Sequence, residues 1–253
     1  MGKLKIGIIG GSGLETIDIF ENPTQKEIDT PFGKPSSPII SGKINGIEVM
    51  FISRFGTKHE IPPSQINNRA NIFALKYEGC KYIIATTAVG SLREEIGRGD
   101  FVILSDFIDF TRFRKNTFYD TFKNGVVHTS LSNPFSEFLR QKTISACKEL
   151  EIKHHEKGTV ITIEGPRFST RAESLMFRQW GADVINMSIA PEAILAKEAN
   201  IDYCAIAMST DYDCWKTDEA PVSWDDILKI FGQNSEKMKK LLIKIAQNME
   251  ATN

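Results

Sequence analysis

The chain has 253 residues, of which 41% are hydrophobic and 25% are charged, the balance of an ordinary globular protein. Its 31 basic and 32 acidic residues leave a formal net charge of −1, so no overall field favours nucleic acid or an anionic membrane. No stretch approaches the ~20 apolar residues of a membrane span, and the first apolar run is too short for a signal peptide. We therefore expect one cytoplasmic domain, residues 1–253, that acts on small molecules.

The four cysteines are widely separated in the sequence and form no C-x-x-C pair. They are Cys80, Cys147, Cys204 and Cys214. No histidines stand near them at the spacing of a zinc site, so we expect no metal centre. Whether Cys204 and Cys214 form a disulfide is left open by the sequence.

Apolar runs of strand length alternate with stretches of helical periodicity along the chain. Strands are predicted at Lys5–Ile9, Ile39–Ile44, Val49–Ser53, Tyr82–Thr87, Phe101–Ser105, Gly158–Ile163, Val184–Met187 and Tyr203–Met208. Helices are predicted at Asn67–Tyr77, Phe135–Leu150, Arg171–Trp180, Pro191–Ala199, Ser223–Phe231 and Glu236–Met249. This alternation predicts an α/β fold in which helices flank both faces of a central mixed, twisted sheet.

Two carboxylates follow the most apolar stretch of the C-terminal half. Asp211 and Asp213 come soon after Tyr203–Met208, a run typical of a strand buried on both faces. Open α/β sheets bind ligands at the carboxyl ends of their strands. A buried, protonated carboxyl can act as a general acid, and an ionised one can accept hydrogen bonds from an amine. The pair therefore suits an amino-substituted heterocycle such as adenine. The alternative is that both residues begin a loop.

Turns rich in glycine and hydroxyl groups follow two other predicted strands. Gly10-Gly11-Ser12-Gly13 follows the first strand, Thr86–Ser91 lies at the end of another, and Arg54 ends a third. Backbone N–H groups, hydroxyls and a guanidinium in one place would coordinate a phosphate. The glycine spacing fits neither the dinucleotide fingerprint nor a P-loop. A small-anion site is favoured, while a tight turn, strand caps and a surface arginine would explain the residues singly.

Two further segments are candidates for binding. The loop after Gly158–Ile163 carries Phe168, whose flat ring could stack on a base, although the charged residues around it could instead form a structural ion-pair network.

The least regular stretch runs from Phe107 to Asn133, and such segments are usually functional loops or interfaces. His128 lies within it, whereas His154 and His155 have no partner spacing and are predicted at the surface.

Taken in order, these segments resemble the 5′-methylthioadenosine phosphorylases, in the trimeric branch of the purine nucleoside phosphorylase superfamily. The blocks that carry the resemblance are Gly10–Leu14, Asp29–Ser36, Thr86–Glu95, Gly158–Glu173, Trp180–Met187 and Thr210–Trp215. The resemblance covers nearly the whole chain. It implies a nucleoside phosphorylase domain that forms a homo-oligomer, either a trimer or a dimer of trimers. It also implies that inorganic phosphate is a co-substrate and that no metal or organic cofactor is needed.

The resemblance assigns roles to individual residues. The implied phosphate ligands are Ser12, Arg54, the backbone of Phe55, Thr87, Ala88 and Ser188. The implied nucleoside contacts are Phe168 and Ser169 at the base, Met187 at the ribose, Asp211 and Asp213 at the adenine edge, and Trp224, Ile227 and a neighbouring subunit's His128 at the methylthio group. Phosphate would attack the anomeric carbon while the glycosidic bond breaks, and proton donation to purine N7 would stabilise the leaving base. Asp211 is the candidate donor, which requires a raised pKa.

Two residues depart from the family pattern. Phe55 stands where the family usually has the histidine that follows the phosphate-binding arginine, so an imidazole contact is missing. The backbone of Phe55 or the side chain of His59 could replace it. Trp224 stands where a small apolar residue usually lines the methylthio pocket, which would reshape that pocket. Two alternatives therefore stay open: a phosphorylase for 6-oxopurine nucleosides, and a nucleoside-binding protein without turnover.

Overall fold

Eleven strands form one mixed sheet in the part of the chain described by the computed structural model, residues 4–14, 18–219 and 223–250. They are β1 (Lys5–Gly10), β2 (Glu21–Lys26), β3 (Ile39–Ile44), β4 (Ile47–Ser53), β5 (Tyr82–Ser91), β6 (Phe101–Ile103), β7 (Asp106–Phe110), β8 (His154–His155), β9 (Thr159–Ile163), β10 (Val184–Asn186) and β11 (Asp202–Tyr212). The main path runs β2-β3-β4-β1-β5-β10-β9-β7, and β11 pairs with both β5 and β6.

The centre of the sheet is parallel, which sets where a ligand can bind. β1 pairs in parallel with β4 and with β5, and β11 runs parallel to β5. β10 lies beside the end of β5 in the antiparallel sense and pairs in parallel with β9. The carboxyl ends of β1, β4, β5 and β11 therefore lie at one edge, where open α/β sheets bind their ligands.

Five α-helices pack around this sheet in the described part of the chain: α1 (Asn68–Tyr77), α2 (Glu137–Glu149), α3 (Arg171–Gln179), α4 (Ile189–Glu198) and α5 (Trp224–Glu250). Local side chains cap the starts of the first three. Asn67 and Ser136 accept hydrogen bonds from the first turns of α1 and α2, and Thr170 forms a capping box with Glu173 at α3. Such caps satisfy backbone N–H groups that have no partner inside a helix.

The core is divided between the two faces of the sheet. Alternate residues of β11 illustrate this: Tyr203 and Ala205 belong to the cluster packed with α1 and α4, while Cys204 and Ile206 belong to the cluster packed with α2 and α5. All four are essentially inaccessible to solvent. This is the pattern expected of a central strand covered by helices on both sides, and the predicted α/β architecture is confirmed.

Most predicted elements are present, but the C-terminal helices differ and three strands were not predicted. The Asn45-Gly46 pair between the strands predicted at Ile39–Ile44 and Val49–Ser53 indicates a hairpin, and β3 and β4 form one; both turn residues have a positive φ, as tight hairpins require. The two helices predicted at the C-terminus are wrong, because the chain continues as one helix, α5. The side chains of Asn234 and Ser235 donate to Ile230 and Gly232 carbonyls, so the polar stretch stays helical. Strands β2, β7 and β8 were not predicted.

Two other questions raised by the sequence concern a disulfide and a membrane span. All four cysteines are free thiols, and burial raises the pKa of Cys204 to about 12. Cys204 and Cys214 therefore form no disulfide in this structure. Among the residues described, no helix has the length and apolar character needed to span a bilayer.

Candidate active site

A cavity opens at the carboxyl edge of the central strands. It holds about 720 Å³, counting the open space at its mouth. Five of the predicted phosphate ligands line one part of it: Ser12, Phe55, Thr87, Ala88 and Ser188. Six of the predicted nucleoside contacts also line it: Phe168, Ser169, Met187, Asp211, Asp213 and Ile227. Residues that are as much as 215 positions apart in the sequence thus share one pocket.

The glycine-rich turn after β1 packs directly against the end of β5. The backbone N–H of Gly11 donates to the Thr86 hydroxyl at 3.2 Å. A Cβ atom added at Gly11 would lie 2.6 Å from the Thr86 carbonyl oxygen and 2.7 Å from Arg54 Nη1. Glycine is therefore required here, because any side chain would separate the turn from the strand. The close approach places Ser12 beside Thr87 in the cavity wall.

Arg54 lies beneath this turn and is fully buried, so the interpretation of it as a surface arginine is wrong. Its Nε and Nη2 donate to the two carboxylate oxygens of Glu192, at 2.5 and 2.9 Å, and its Nη1 donates to the Thr86 carbonyl at 2.7 Å. Glu192 also accepts the hydroxyl of Tyr203 at 2.8 Å. Burial disfavours the charge of Arg54, but the carboxylate of Glu192 outweighs it and raises the pKa of the guanidinium.

Arg54 is not among the residues that line the cavity, whereas the groups above it are. Its charge is largely balanced by Glu192, but its bidentate geometry leaves further N–H bonds on Nη1 and Nη2. Direct contact between Arg54 and phosphate stays a prediction. The fixed position of the guanidinium supports the Gly11–Ser12 turn in either case.

The start of helix α4 also faces the cavity. Ser188 is its N-cap residue, is 2% exposed, and makes no side-chain hydrogen bond to the helix. Its hydroxyl is therefore not used for capping. Helix N-termini attract anions because their first N–H groups lack intrahelical partners and carry partial positive charge. This end of the cavity is suited to an oxyanion.

Phe55 and His59 stack against each other at the same end of the cavity. Their ring centroids are 4.5 Å apart with an interplanar angle of 29°, and both residues line the pocket. The guanidinium carbon of Arg54 lies 5.9 Å from the centre of the Phe55 ring. The residue that replaces the family's histidine therefore holds another imidazole against its face.

At the opposite end, Asp211 is placed by an irregularity in β11. The register with β5 shifts between Ser209 and Asp211, and Asp211 lies inside the strand rather than in the loop that follows. Its side chain is buried, with 7% of the residue exposed. Burial is the main reason that the pKa of Asp211 rises to about 7, and the nearby charge of Asp213 adds to it.

The Thr210 hydroxyl contacts Asp211 directly. It lies 2.7 Å from Asp211 Oδ1 and 3.2 Å from the Val89 carbonyl oxygen. A hydroxyl has one hydrogen, and the shorter contact is the one to the carboxyl. Donation to Asp211 favours its ionised form, so Thr210 partly opposes the rise in the pKa of Asp211 that burial causes.

Asp213 lies two residues further along and has a different partner. The Ser169 hydroxyl donates to Asp213 Oδ2 at 2.5 Å. Asp213 is 4% exposed, and its backbone N–H donates to the Ser91 carbonyl at 3.0 Å, which fixes the turn after β11. Phe168 precedes Ser169 and is 44% exposed, so its ring is free to receive a flat group. The two acids thus have separate environments within one pocket.

Several predicted residues lie elsewhere or outside the described side chains. His128 is exposed in the segment after β7 and does not line the cavity; its nearest ring neighbour is Phe122, at 5.9 Å. The side chain of Trp224 lies outside the described part of the structure. His154 and His155 were predicted at the surface, but both are half-buried in β8, and His155 Nε2 lies 3.0 Å from Asp100 Oδ2.

Three site residues were missed by the sequence analysis: Asn186, Glu192 and Thr210. Asn186 Nδ2 donates to the Thr87 hydroxyl at 3.3 Å, and its Oδ1 accepts from Thr162 Oγ1 at 2.8 Å. It therefore joins β10 to the end of β5. Polar residues that close an apolar strand, as Asn186 and Thr210 do, are a usable sequence signal. Glu192 lies in the first turn of the largely apolar helix α4, and only the fold shows its partner.

Comparisons with known proteins show the family of this chain. The family model described as the phosphorylase superfamily matches residues 5–247. The chain belongs to the phosphorylase superfamily. Within it, the chain is similar to S-methyl-5′-thioadenosine phosphorylases: it is 54% identical over 244 residues to the protein of Xenopus tropicalis, covering 95% of this chain and 87% of that protein. The corresponding protein of Drosophila pseudoobscura pseudoobscura is 52% identical over 243 residues, covering 95% and 84%.

Solved structures give the same result at the level of the fold. The methylthioadenosine phosphorylase of Schistosoma mansoni in complex with adenine superposes with a TM-score of 0.94 at 38% identity, covering 98% of this chain and 93% of that one. A mutant of the Schistosoma mansoni adenosine/methylthioadenosine phosphorylase in complex with methylthioadenosine gives a TM-score of 0.93, also at 38% identity, with coverage of 98% and 92%.

Proposed function

We propose that this protein cleaves 5′-methylthioadenosine with inorganic phosphate to give adenine and 5-methylthioribose 1-phosphate, a salvage reaction. The observation that carries the proposal is that Asp211, whose pKa is raised by burial, and Asp213 share one cavity with the groups suited to bind an oxyanion. Phosphate is the co-substrate in this proposal, and no organic cofactor or metal takes part.

The base end supports departure of adenine. Asp211 donates its proton to N7 as the glycosidic bond breaks, which neutralises the negative charge that develops on the purine. Asp213 accepts a hydrogen bond from the exocyclic amine, and Ser169 holds its carboxylate in place. Phe168 covers one face of the ring. A 6-oxopurine would place a carbonyl oxygen against Asp213, and two acceptors repel each other. Adenine is therefore the favoured base.

The oxyanion end supports attack on the sugar. Ser12, Thr87 and Ser188 supply hydroxyl groups, the backbone of Ala88 lines the same cavity, and the partial positive charge at the start of α4 attracts an anion. Phosphate held there lies beside the ribose, which Met187 contacts, and its negative charge stabilises the cationic sugar of the transition state. Holding both reactants in one cavity converts a bimolecular reaction into an effectively unimolecular one.

The first experiment measures free base released by the purified protein from 5′-methylthioadenosine, adenosine, inosine and 5′-methylthioinosine, each with and without phosphate. Phosphate-dependent adenine release, fastest from 5′-methylthioadenosine, is the expected result. Faster release of hypoxanthine would show a 6-oxopurine phosphorylase. Absence of turnover with all four, together with measurable binding of adenine, would identify a nucleoside-binding protein.

We also propose that the active form is a homotrimer or a dimer of trimers in which His128 of one subunit completes the methylthio pocket of the next. Exposed apolar side chains near His128 support an interface: Phe122 is 48% exposed and Val126 is 69% exposed. Ile227, at the start of α5, supplies part of the same pocket from within the subunit, and Trp224 is expected to contribute to it. Free cysteines suit a reducing compartment, in keeping with a cytoplasmic location.

A further inference from the structure

Arg114 is a buried cation outside the cavity lining, in the segment that follows β7. Its side chain is 1% exposed. Its Nε donates to Glu164 Oε1 at 2.7 Å, and its Nη2 donates to two carbonyl oxygens, that of Glu164 at 2.5 Å and that of Met187 at 3.1 Å. One side chain is thus bound to two different backbone segments.

Those two segments carry the two halves of the substrate site. Glu164 follows β9 and begins the loop that presents Phe168 and Ser169 to the base. Met187 follows β10, contacts the cavity itself, and leads into Ser188 at the start of α4. β9 and β10 are parallel neighbours. Arg114 therefore links their carboxyl ends just where each strand stops and the ladder of backbone hydrogen bonds no longer fixes the spacing.

The packing of the two segments depends on this link. Gly165 and Met187 are so close that a Cβ atom at Gly165 would lie 2.5 Å from Met187 Sδ. The carboxylate of Glu164 also accepts the backbone N–H groups of Arg112 at 2.7 Å and Phe113 at 3.2 Å. Arg114, Glu164 and Met187 form one connected polar unit around an otherwise apolar contact.

Arg114 is a costly residue for a purely structural purpose. Its Nη1 is buried and has no hydrogen-bond partner among the residues that the structure describes. A buried donor without a partner costs free energy, and an apolar side chain of similar length would avoid that cost. Glu164 is 22% exposed and keeps two backbone donors of its own, so it does not depend on the arginine for its charge. The benefit of Arg114 therefore lies in the geometry that it imposes.

We propose that Arg114 is a positioning residue for phosphorolysis, holding the base-binding loop and the ribose-contacting Met187 at a fixed spacing. This rests on the proposed function. In the transition state the base and the sugar separate while each is held by its own segment. Loss of the link changes their relative position more than it weakens either binding contact. Misplacement of about 1 Å can reduce a rate by about 10²-fold.

The test compares Arg114→Met, Arg114→Lys and Arg112→Met with the wild type. Arg112 is the matched control, because it lies in the same segment with an exposed side chain. For each protein, kcat, the KM for nucleoside and the KM for phosphate are measured together with the midpoint of thermal unfolding. We expect Arg114→Met to lower kcat by roughly 10- to 100-fold, with the phosphate KM within about threefold of wild type. Arg112→Met should match the wild type.

Arg114→Lys separates positioning from folding. Lysine keeps a cation beside Glu164 but is a compact point charge that cannot reproduce the planar guanidinium contacts. It should therefore retain a near-normal unfolding midpoint and still show a reduced kcat. A wild-type kcat in the folded lysine and methionine variants would overturn the positioning role, as would a loss of activity that only follows the fraction unfolded. Lack of phosphorolysis by the wild-type protein would instead count against the proposed function.

Discussion

The pKa of Asp211 is raised because of what surrounds it. The strand irregularity turns its side chain into the cavity wall, burial disfavours the charged carboxylate, and Asp213 nearby adds a like charge. Thr210 stays within hydrogen-bond distance of both the carboxyl and a carbonyl. The end of β11 and the turn after it therefore place the two acids, Asp211 and Asp213, two residues apart.

The role of Asp211 predicts a loss of turnover in Asp211→Asn. A general acid contributes about 10²- to 10⁴-fold, and the amide cannot transfer a proton to N7, so kcat for adenine release should fall by that amount. Asp218→Asn is the matched control, because Asp218 is exposed in the loop that follows the turn. Near-normal turnover in Asp211→Asn would remove Asp211 as the proton donor.

The raised pKa of Asp211 also predicts how activity and stability change with pH. Since the acid form is the active one, kcat/KM should fall as the pH rises through about 7. The folded protein binds this proton more tightly than the unfolded chain, so stability should decline between about pH 4 and pH 7. The decline is at most on the order of 4 kcal/mol, from 1.36 kcal/mol per pKa unit.

Asp211→Asn should abolish that component of the pH dependence, so at pH 8 the inactive variant should be as stable as the wild type or more stable. Urea unfolding of both proteins at pH 5 and pH 8 measures this difference directly. Parallel stability changes in the two proteins would mean that Asp211 is not the group that titrates.

Phe55 predicts a gain of phosphate affinity in Phe55→His. The ring lies beside Ser12 and Thr87 in the cavity wall, so an imidazole there could donate to bound phosphate. One added hydrogen bond to an anion should lower the phosphate KM on the order of tenfold, equivalent to about 1.4 kcal/mol. Phe55→Leu removes the ring without adding a donor and is the control. An unchanged phosphate KM in Phe55→His would place the anion away from residue 55.

Substitution of Arg54 is a poor test of phosphate binding, although the sequence predicts Arg54 as a phosphate ligand. Its removal would leave Glu192 buried without its partner, and breaking such a pair typically costs about 3–5 kcal/mol. A loss of phosphate dependence in Arg54→Ala would then reflect unfolding as much as lost binding.

At the scale of elements, α5 supports the glycine-rich turn from the opposite side. A Cβ atom at Gly13 would lie 2.1 Å from Phe231 Cδ1, so the ring packs directly on the turn. Gly13 has a φ of +79°, which favours glycine in addition to the lack of space. The helix that follows the Asp211–Asp213 turn in the sequence therefore also fixes the oxyanion end of the cavity.

This contact predicts that Phe231→Ala impairs both stability and phosphate binding. Truncation of a fully buried phenylalanine typically costs about 3–5 kcal/mol, and the phosphate KM should rise because the turn loses its support. Phe138→Ala, at a residue that is 41% exposed, is the control. Chemical unfolding and phosphate titration check the two effects. A destabilised Phe231→Ala with unchanged phosphate KM would mean that the turn holds its shape without the helix.

Some helices and strands can be predicted from sequence patterns alone, and others cannot. The strand β11 and the Asn45-Gly46 turn were predicted correctly, because each is indicated by neighbouring residues in the sequence: an apolar run and an Asn-Gly pair. The continuous α5 was missed, because its polar middle is kept helical by bonds back to its own carbonyls and by packing of Phe231 and Met238 in the core. β7 was missed because two aspartates interrupt the apolar character of its five residues, which have no period-2 alternation and lie in an otherwise irregular stretch.

At the scale of the whole molecule, the segment after β7 connects the site to the proposed interface. Thr117 Oγ1 and the backbone N–H of Phe118 both donate to the Glu198 carboxylate at 2.8 Å, which anchors the segment to the end of α4. The same segment carries Arg114 at its start and the exposed His128 further on. An assembly contact there would act on the site through short, well-defined connections.

The proposed assembly predicts a particle with three or six times the mass of one 28.4 kDa chain, measured by light scattering. His128→Ala should leave that mass unchanged and raise the KM for 5′-methylthioadenosine, by roughly three- to tenfold for the loss of one apolar or hydrogen-bonding contact. The KM for adenosine should change less. A monomeric wild-type protein with full activity would contradict the shared site.

The sequence by itself determined the alternating strands and helices, the pair of acids after a buried strand, and the clusters of hydroxyl and glycine residues at strand ends. These are local patterns of polarity and backbone conformation, and the resemblance to a known family added their roles. Only the tertiary structure decided which of these residues contact one another or share the cavity. It buried Arg54 against Glu192, stacked Phe55 on His59, and raised the pKa of Asp211, because burial, pairing and dielectric environment depend on residues that are distant in the chain.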